Sequence, residues 1–340
     1  MLKSLLCLLI GSYCAHAPAA HAMGEYLQYE ELGALITQLE KEQVYAPGEL
    51  SALFAQVTRD DGVLKAIARP AEGTKEWKDY RPLFLSEERV QKGVAFWNQH
   101  ADVLARAEAT YGVPAEMIVA IIGVETKYGG NKGRNRVIDA LTTLGLDYPP
   151  RAPFFRKELR EFLMLAKENG LDPLTTFGSY AGAMGYPQFM PSSWRSLAVD
   201  FDGDGKRDLI NNPVDAIGSV AHYFQANGWK TGEAVIVPAR IISQDYDSVI
   251  NKDLGTSSTL GEIAKKGLIP REAGTYLAAT PASAIRLQGD HGGEFWLGLT
   301  NYYVITKYNR SLLYAMAAYQ LSQAVKTAHD AQAAAAPPAP

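Results

Sequence analysis

Glu125 stands where a carboxylate is costly. After Pro114, which sits where a first helical residue belongs, Ile118, Ile121, Ile122 and Glu125 follow the i, i+3, i+4, i+7 spacing of one helix face. An ionisable group on an apolar stripe loses out to an apolar residue unless it is paired or functional. Desolvation there is expected to raise its pKa. A carboxyl kept protonated near neutrality can hand its proton to a glycosidic oxygen, which is what the general acid of sugar cleavage must do. The plainer alternative is a structural glutamate paired with Lys127, Arg134 or Arg136, and position alone does not choose between them.

A second chemical signal is the loop Asp200-Phe-Asp-Gly-Asp-Gly-Lys-Arg-Asp208. Asp200, Asp202 and Asp204 take the first, third and fifth places of an EF-hand loop, Gly205 the sixth, and Lys206 the place that offers a backbone carbonyl. Hard oxygens at this spacing suit Ca²⁺, and without a cation three alternate aspartates repel. The twelfth place is Asn211, so the usual bidentate glutamate is missing, and Asp208 is a further candidate ligand. A metal-free cluster of Asx turns is the alternative.

A third is glycine-rich: Gly182 and Gly185 bracket Met184, with Gln188 supplying a neutral donor and acceptor. Read alone it is a packed turn as readily as a ligand contact. The eighteen tyrosines offer flat faces and hydroxyls of the kind a sugar site uses.

The elements that must carry these groups are mostly helical. The pattern is helical from Leu27 to Asp60, and Trp77 to Phe84, broken by Pro82, reads as a connector. Ser86 caps a helix in which Val90, Val94, Trp97, Ala101 and Leu104 share a buried face and which Gly112 ends. Further helices are expected from Pro153 to Asn169, with Phe155, Leu159, Phe162 and Ala166 inward, from Pro213, with Ile217, Val220, Ala221 and Phe224 inward, and from Ser311 to Val325. After Gly232 short β-prone runs, Ala234 to Val237 and Ile285 to Leu287, surround helical material near Leu260 to Lys266. The Ala- and Pro-rich stretch 327–340 has little to bury and is expected to be disordered.

Taken in order, Gly123-Val-Glu-Thr-Lys-Tyr-Gly129, Gly182-Ala-Met-Gly-Tyr-Pro-Gln-Phe-Met-Pro-Ser-Ser193 and Lys307-Tyr-Asn-Arg-Ser311 resemble the lytic murein transglycosylase B family over positions 75–325. The resemblance implies a mainly α (α+β) fold: a helical region 23–97, a lysozyme-like core 98–232 carrying the calcium loop, a small β-rich domain 233–300, and a segment 301–326 returning to the groove. It implies Glu125 as sole catalytic acid and base, cleaving the β-1,4 bond between N-acetylmuramic acid and N-acetylglucosamine. The substrate's acetamido group then stabilises the cationic centre, and the C6 hydroxyl closes a 1,6-anhydro ring. It further implies Tyr80, Ser179, Met184, Gln188, Tyr223, Tyr308, Asn309 and Tyr314 around the glycan, and Asp215 as the acid closing the calcium loop. Phe154 stands where relatives can carry tyrosine.

Composition agrees. The net charge of −4 is small and the cations are scattered along the 340 residues, so nothing favours nucleic acid; nor is there a nucleotide, haem or zinc signature. Lys3, an apolar run from Leu5 to Ile10 and Ala20-His21-Ala22 read as an export signal over 1–22, giving a periplasmic monomer. Cys7 and Cys14 both fall inside that signal, and the bulk of Tyr13 disfavours a lipid anchor on Cys14. Two other readings stand beside this one: a hydrolytic muramidase with Asp139 or Asp147 as second carboxylate, and a non-catalytic peptidoglycan-binding scaffold. Docking to other cell-wall enzymes is compatible with each.

Overall fold

The computed structural model describes residues 24–69, 75–250, 253–272, 274 and 276–335; the expected export signal over 1–22 and residues 336–340 lie outside them. The chain divides into two compact units, one ending at Arg59 and one beginning at Asp60. In the first, the helical stretch resolves into helices Glu30–Lys41 and Glu49–Phe54. Pro47 and Gly48 part them, Gly48 taking φ 82°. Its backbone N–H donates to Glu40 (2.9 Å), while that of Ala46 donates to Glu49 (3.0 Å).

The second unit is built around the helix Ala115–Thr126, in which ten of twelve residues are buried. Sequence spacing suggests one apolar stripe, but this helix is covered all round, as a central helix is. Glu87–Gln99, Ala101–Tyr111, Pro213–Ala226 and Leu312–Ala335 pack against it. Its start is one residue later than expected, because Pro114 is the extended N-cap and not the first helical residue. A second layer packs Val137–Asp147 and Pro191–Leu197 on Ala152–Asn169, whose Phe155, Leu159, Phe162 and Ala166 are all buried.

Two further expectations differ from what is seen. The helix capped by Ser86 ends at Gln99, since His100 departs from helical geometry (φ −122°, ψ 25°). Ala101 therefore leaves the buried face, whereas Leu104 is buried from the following helix, which ends on left-handed Gly112 as expected. The stretch 327–335, expected to be disordered, continues the helix Leu312–Ala335. Alanine is the best helix former, and two contacts dock this end on the helix Glu87–Gln99, His329 stacking on Trp97 (4.3 Å) and Asn98 donating to Gln332 (3.0 Å), while Lys326 and Asp330 pair within the helix itself (3.2 Å).

Between these helices lies an antiparallel sheet of five strands in the spatial order Ser258–Thr259, Pro281–Gly289, Gly292–Gly298, Ile236–Ile241, Leu268–Pro270. Val237, Ile263, Leu268, Ala284 and Leu297 give it a core of its own. The helix Leu260–Lys265 sits against it behind a capping box formed by Thr259 and Glu262. From the sheet the chain re-enters the helical body through Thr300–Tyr308. The fold is mainly helical, with this small antiparallel sheet and a two-stranded one in which Asn135–Arg136 pairs with Phe177–Gly178.

Candidate functional site

Glu125 occupies the last turn of the buried central helix and is itself only half-buried. The chain then leaves the helix through three successive left-handed residues, Lys127 (φ 54°), Tyr128 (φ 62°) and Gly129 (φ 86°). Two of these carry side chains, a conformation that costs about 1–2 kcal/mol each and persists only when its surroundings fix it. They do. Arg89 donates to the carbonyls of Gly123 (2.9 Å) and Leu83 (3.2 Å), holding the helix end. The Thr126 hydroxyl donates to the Tyr186 carbonyl (3.0 Å) and accepts from the Gly129 N–H (3.0 Å), joining this end to the glycine-rich turn. The Tyr128 ring lies so close over Gly123 that a Cβ there would sit 2.6 Å from it.

The Tyr314 hydroxyl donates to Glu125 Oε1 at 2.5 Å. Tyr314 is buried, and its phenol is pushed well above the usual tyrosine range, first by burial and then by the Glu125 charge. It therefore remains a donor. The Tyr308 hydroxyl donates to the Pro187 carbonyl (2.6 Å) and that of Tyr223 to the Lys307 carbonyl (2.7 Å). The Tyr223 and Tyr308 rings lie 4.7 Å apart, with Phe189 5.5 and 5.9 Å from them. Burial pushes the Tyr223 phenol up to about 12. Tyr80 is fully buried against Phe84 (5.0 Å), and Asn309 is exposed at the end of Thr300–Tyr308.

In the glycine-rich turn, Ser179 Oγ accepts from the N–H groups of Ala181 (3.3 Å) and Ala183 (3.0 Å). Met184 is fully buried and bridges to Phe189. Gln188, at φ 50°, turns its amide onto the carbonyls of Gly185 (2.9 Å) and Lys132 (3.2 Å). At Gly185 (φ 72°) a Cβ would meet the Leu209 carbonyl oxygen at 2.2 Å. Tyr186 was not among the expected site residues, yet its backbone anchors Thr126 and its ring takes Lys132 Nζ at 4.8 Å. The signal was present, an aromatic inside the motif, but nothing in the spacing marks it off from core.

Of the charged groups near Glu125 in sequence, Arg136 grips Asp139 through two bonds (2.6 and 2.7 Å).

The acidic loop brings one carboxylate oxygen from each of Asp200, Asp202 and Asp204 within 4.8 Å of the others. Asp200 also accepts from the N–H groups of Gly203 (2.7 Å) and Gly205 (2.8 Å), and Asp202 from Asn212 (2.7 Å). Asp215 is buried, and its two oxygens accept from Phe201 N (2.8 Å) and Asp208 N (2.7 Å), tying both sides of the loop to the helix Pro213–Ala226.

Residues 28–323 match the family model described as transglycosylase SLT domain. The chain is 42% identical over 315 residues to membrane-bound lytic murein transglycosylase B of Escherichia coli, covering 90% of this chain and 85% of that one. It superposes on the lytic transglycosylase SltB1 of Pseudomonas aeruginosa with a TM-score of 0.86 at 51% identity, covering 90% of this chain and 100% of that one. On the calcium complex of the Escherichia coli lytic transglycosylase Slt35 the TM-score is 0.82 at 42% identity, with 92% and 97% covered.

Proposed function

The chain belongs to the transglycosylase SLT-domain family of lytic murein transglycosylases, and from that membership we propose that Glu125 is the acid and base of its peptidoglycan cleavage. The fold is lysozyme-like and the reaction is that of a peptidoglycan lyase. The observation that carries the role of Glu125 is its bond from Tyr314 at the rigid end of a buried helix.

Because Oε1 accepts the phenol's hydrogen bond, the proton Glu125 gives away belongs on Oε2. The acid protonates the oxygen linking N-acetylmuramic acid to N-acetylglucosamine, and that bond breaks. The substrate's own acetamido oxygen shields the cationic C1. Glu125, now a carboxylate, takes the proton of the C6 hydroxyl, whose oxygen closes on C1 to give the 1,6-anhydro end. One carboxyl serves both steps, so no second carboxylate is required. Ser179, Gln188, Tyr223, Tyr308 and Asn309 line the groove, and the buried Tyr80, Met184 and Tyr314 back it. The aromatic pair Tyr223 and Tyr308 suits sugar faces, and Gln188, already bonded to two carbonyls, holds the turn as well as facing the glycan.

The acidic loop fits a hard cation, since three converging carboxylates need positive charge and offer only oxygen. Asp200, Asp202 and Asp204 would hold Ca²⁺ with the Lys206 carbonyl. Asp215, bonded to both sides of the loop, closes it. The ion's part is structural, stapling the segment that leads into Pro213–Ala226. Murein lies outside the cytoplasmic membrane, so residues 1–22 serve export to the periplasm. Among the described residues no single helix is long and apolar enough to cross a membrane.

Mass spectrometry of soluble products from purified peptidoglycan tests the chemistry. Wild type is expected to release muropeptides one water lighter than reducing ends, and Glu125→Gln to lose at least about 10³-fold in rate. Reducing products would instead establish the muramidase.

A further inference from the structure

A cavity of about 570 Å³ that the cleavage chemistry does not use is lined in part by Lys307, next in the chain to Tyr308, and its charge is one-sided. Its lining includes Lys230, Lys307 and Arg310 and no carboxylate. Thr300, Thr256 and the backbone at Gly255 add neutral hydrogen-bonding groups.

Buried polar side chains fix its walls. Asn301, fully buried, accepts from Lys230 N (2.7 Å) and donates to Lys230 O (2.8 Å), so the backbone carrying that ammonium is clamped. Ser283, also fully buried, donates to Gly255 O and accepts from Ser257 N, both at 2.8 Å, which fixes the opposite loop. Lys307 Nζ donates to Asn227 O (2.7 Å), holding that cation at the rim. Arg310 makes no hydrogen bond or ion pair with the described residues, and an unpaired guanidinium is suited to grip a carboxylate through two N–H groups.

The cavity adjoins the groove through the chain itself. Lys307 precedes Tyr308, and its carbonyl accepts the Tyr223 hydroxyl, so Lys307 and Arg310 are one and two residues along the chain from Tyr308 of the tyrosine pair. A peptide stem of four or five residues, hung from the muramic acid ring, spans about 15 Å when extended. Its carboxylates are the anions that any murein strand bears beside the sugars.

We infer that this cavity binds the carboxylates of the murein peptide stem, making Arg310 and Lys230 specificity-determining residues; the inference rests on the glycan groove proposed above. The test compares stem-bearing glycan strands with strands stripped of stems by an amidase, using wild type and the double variant Arg310→Gln/Lys230→Gln. Wild type is expected to favour stem-bearing strands through a lower KM. The variant, its folding checked by circular dichroism, should lose about fivefold of that preference, as two exposed charge pairs allow, while turning over stripped strands at the wild-type rate. An unchanged preference, or equal loss on both substrates, overturns the inference. Calorimetric titration of free stem tetrapeptide into both proteins gives a readout independent of turnover: weaker binding by the variant supports the cavity, and equal binding removes it. If wild type yields no anhydro products from either strand, the cleavage reading fails while the titration still decides on the cavity.

Discussion

At the scale of single residues, the Glu125 carboxyl is a positioned group more than a buried one. Tyr314 supplies one hydrogen bond to it, and the raised phenol pKa keeps that donor protonated throughout the range in which a carboxyl and a glycan react. A bond to a charged acceptor contributes about 1.5–3 kcal/mol. Tyr314→Phe keeps the ring and its packing but removes the donor, so kcat is expected to fall about 10- to 100-fold, with KM changed by less than about twofold. Steady-state kinetics on defined glycan strands measures this. A drop confined to KM would mean that the hydroxyl serves substrate binding and not the carboxyl. Glu125 was legible from its place on an apolar helix. The bond from Tyr314 was not, because the two lie 189 positions apart and only the fold brings them together.

At the scale of elements, periodicity located the long helices because each buries one side in phase, as Phe155, Leu159, Phe162 and Ala166 do. It passed over Val137–Asp147, Pro191–Leu197 and Thr300–Tyr308, which are short or buried nearly all round and so show no clean alternation. The helix Pro191–Leu197, which follows directly on the glycine-rich motif, is fixed by charge. Its Arg195 pairs with Glu161 and with Glu168 (2.6 Å) on Ala152–Asn169. The Arg195 hydrogen bond holds the Glu168 carboxyl below its ordinary value. A depressed carboxylate pKa stabilises the fold fully above the unfolded value, about 4.3, and this contribution is lost as pH falls through the lower folded value. Arg195→Leu is therefore expected to cost about 1–2 kcal/mol at pH 7, a figure kept low because the Glu168 side chain is 36% exposed. In urea titrations the gap to wild type should narrow below pH ~4. A gap equally wide at pH 7 and pH 3 would assign the loss to packing instead of charge.

At the scale of the whole molecule, the chain beyond Cys14 contains no cysteine, so no disulfide constrains the described residues and the acidic loop 200–208 is their one candidate cross-link by a bound ion. That loop was visible in the sequence as aspartates at alternate positions. How it is tied was not: Asp215 accepts N–H groups from Phe201 and Asp208, fourteen and seven residues away, a use of a carboxylate that no spacing rule announces. Those bonds couple the ion's site to the buried start of Pro213–Ala226, whose Ile217, Val220, Ala221 and Phe224 belong to the main core. An ion that binds only the folded state stabilises it by RT ln(1 + [L]/Kd), about 2.7 kcal/mol at a hundredfold excess over Kd. For a protein of this length each kcal/mol moves Tm by roughly 1–2 °C, so saturating Ca²⁺ should raise Tm by about 3–5 °C over the chelated protein. Scanning calorimetry with and without chelator reads the shift, and the variant Asp202→Asn/Asp204→Asn should melt at the chelated temperature in both buffers. If, as proposed, the ion stabilises and takes no part in the chemistry, the chelated enzyme held well below its own Tm should still release anhydro products. Loss of those products from a protein that remains folded would move the ion from staple to participant.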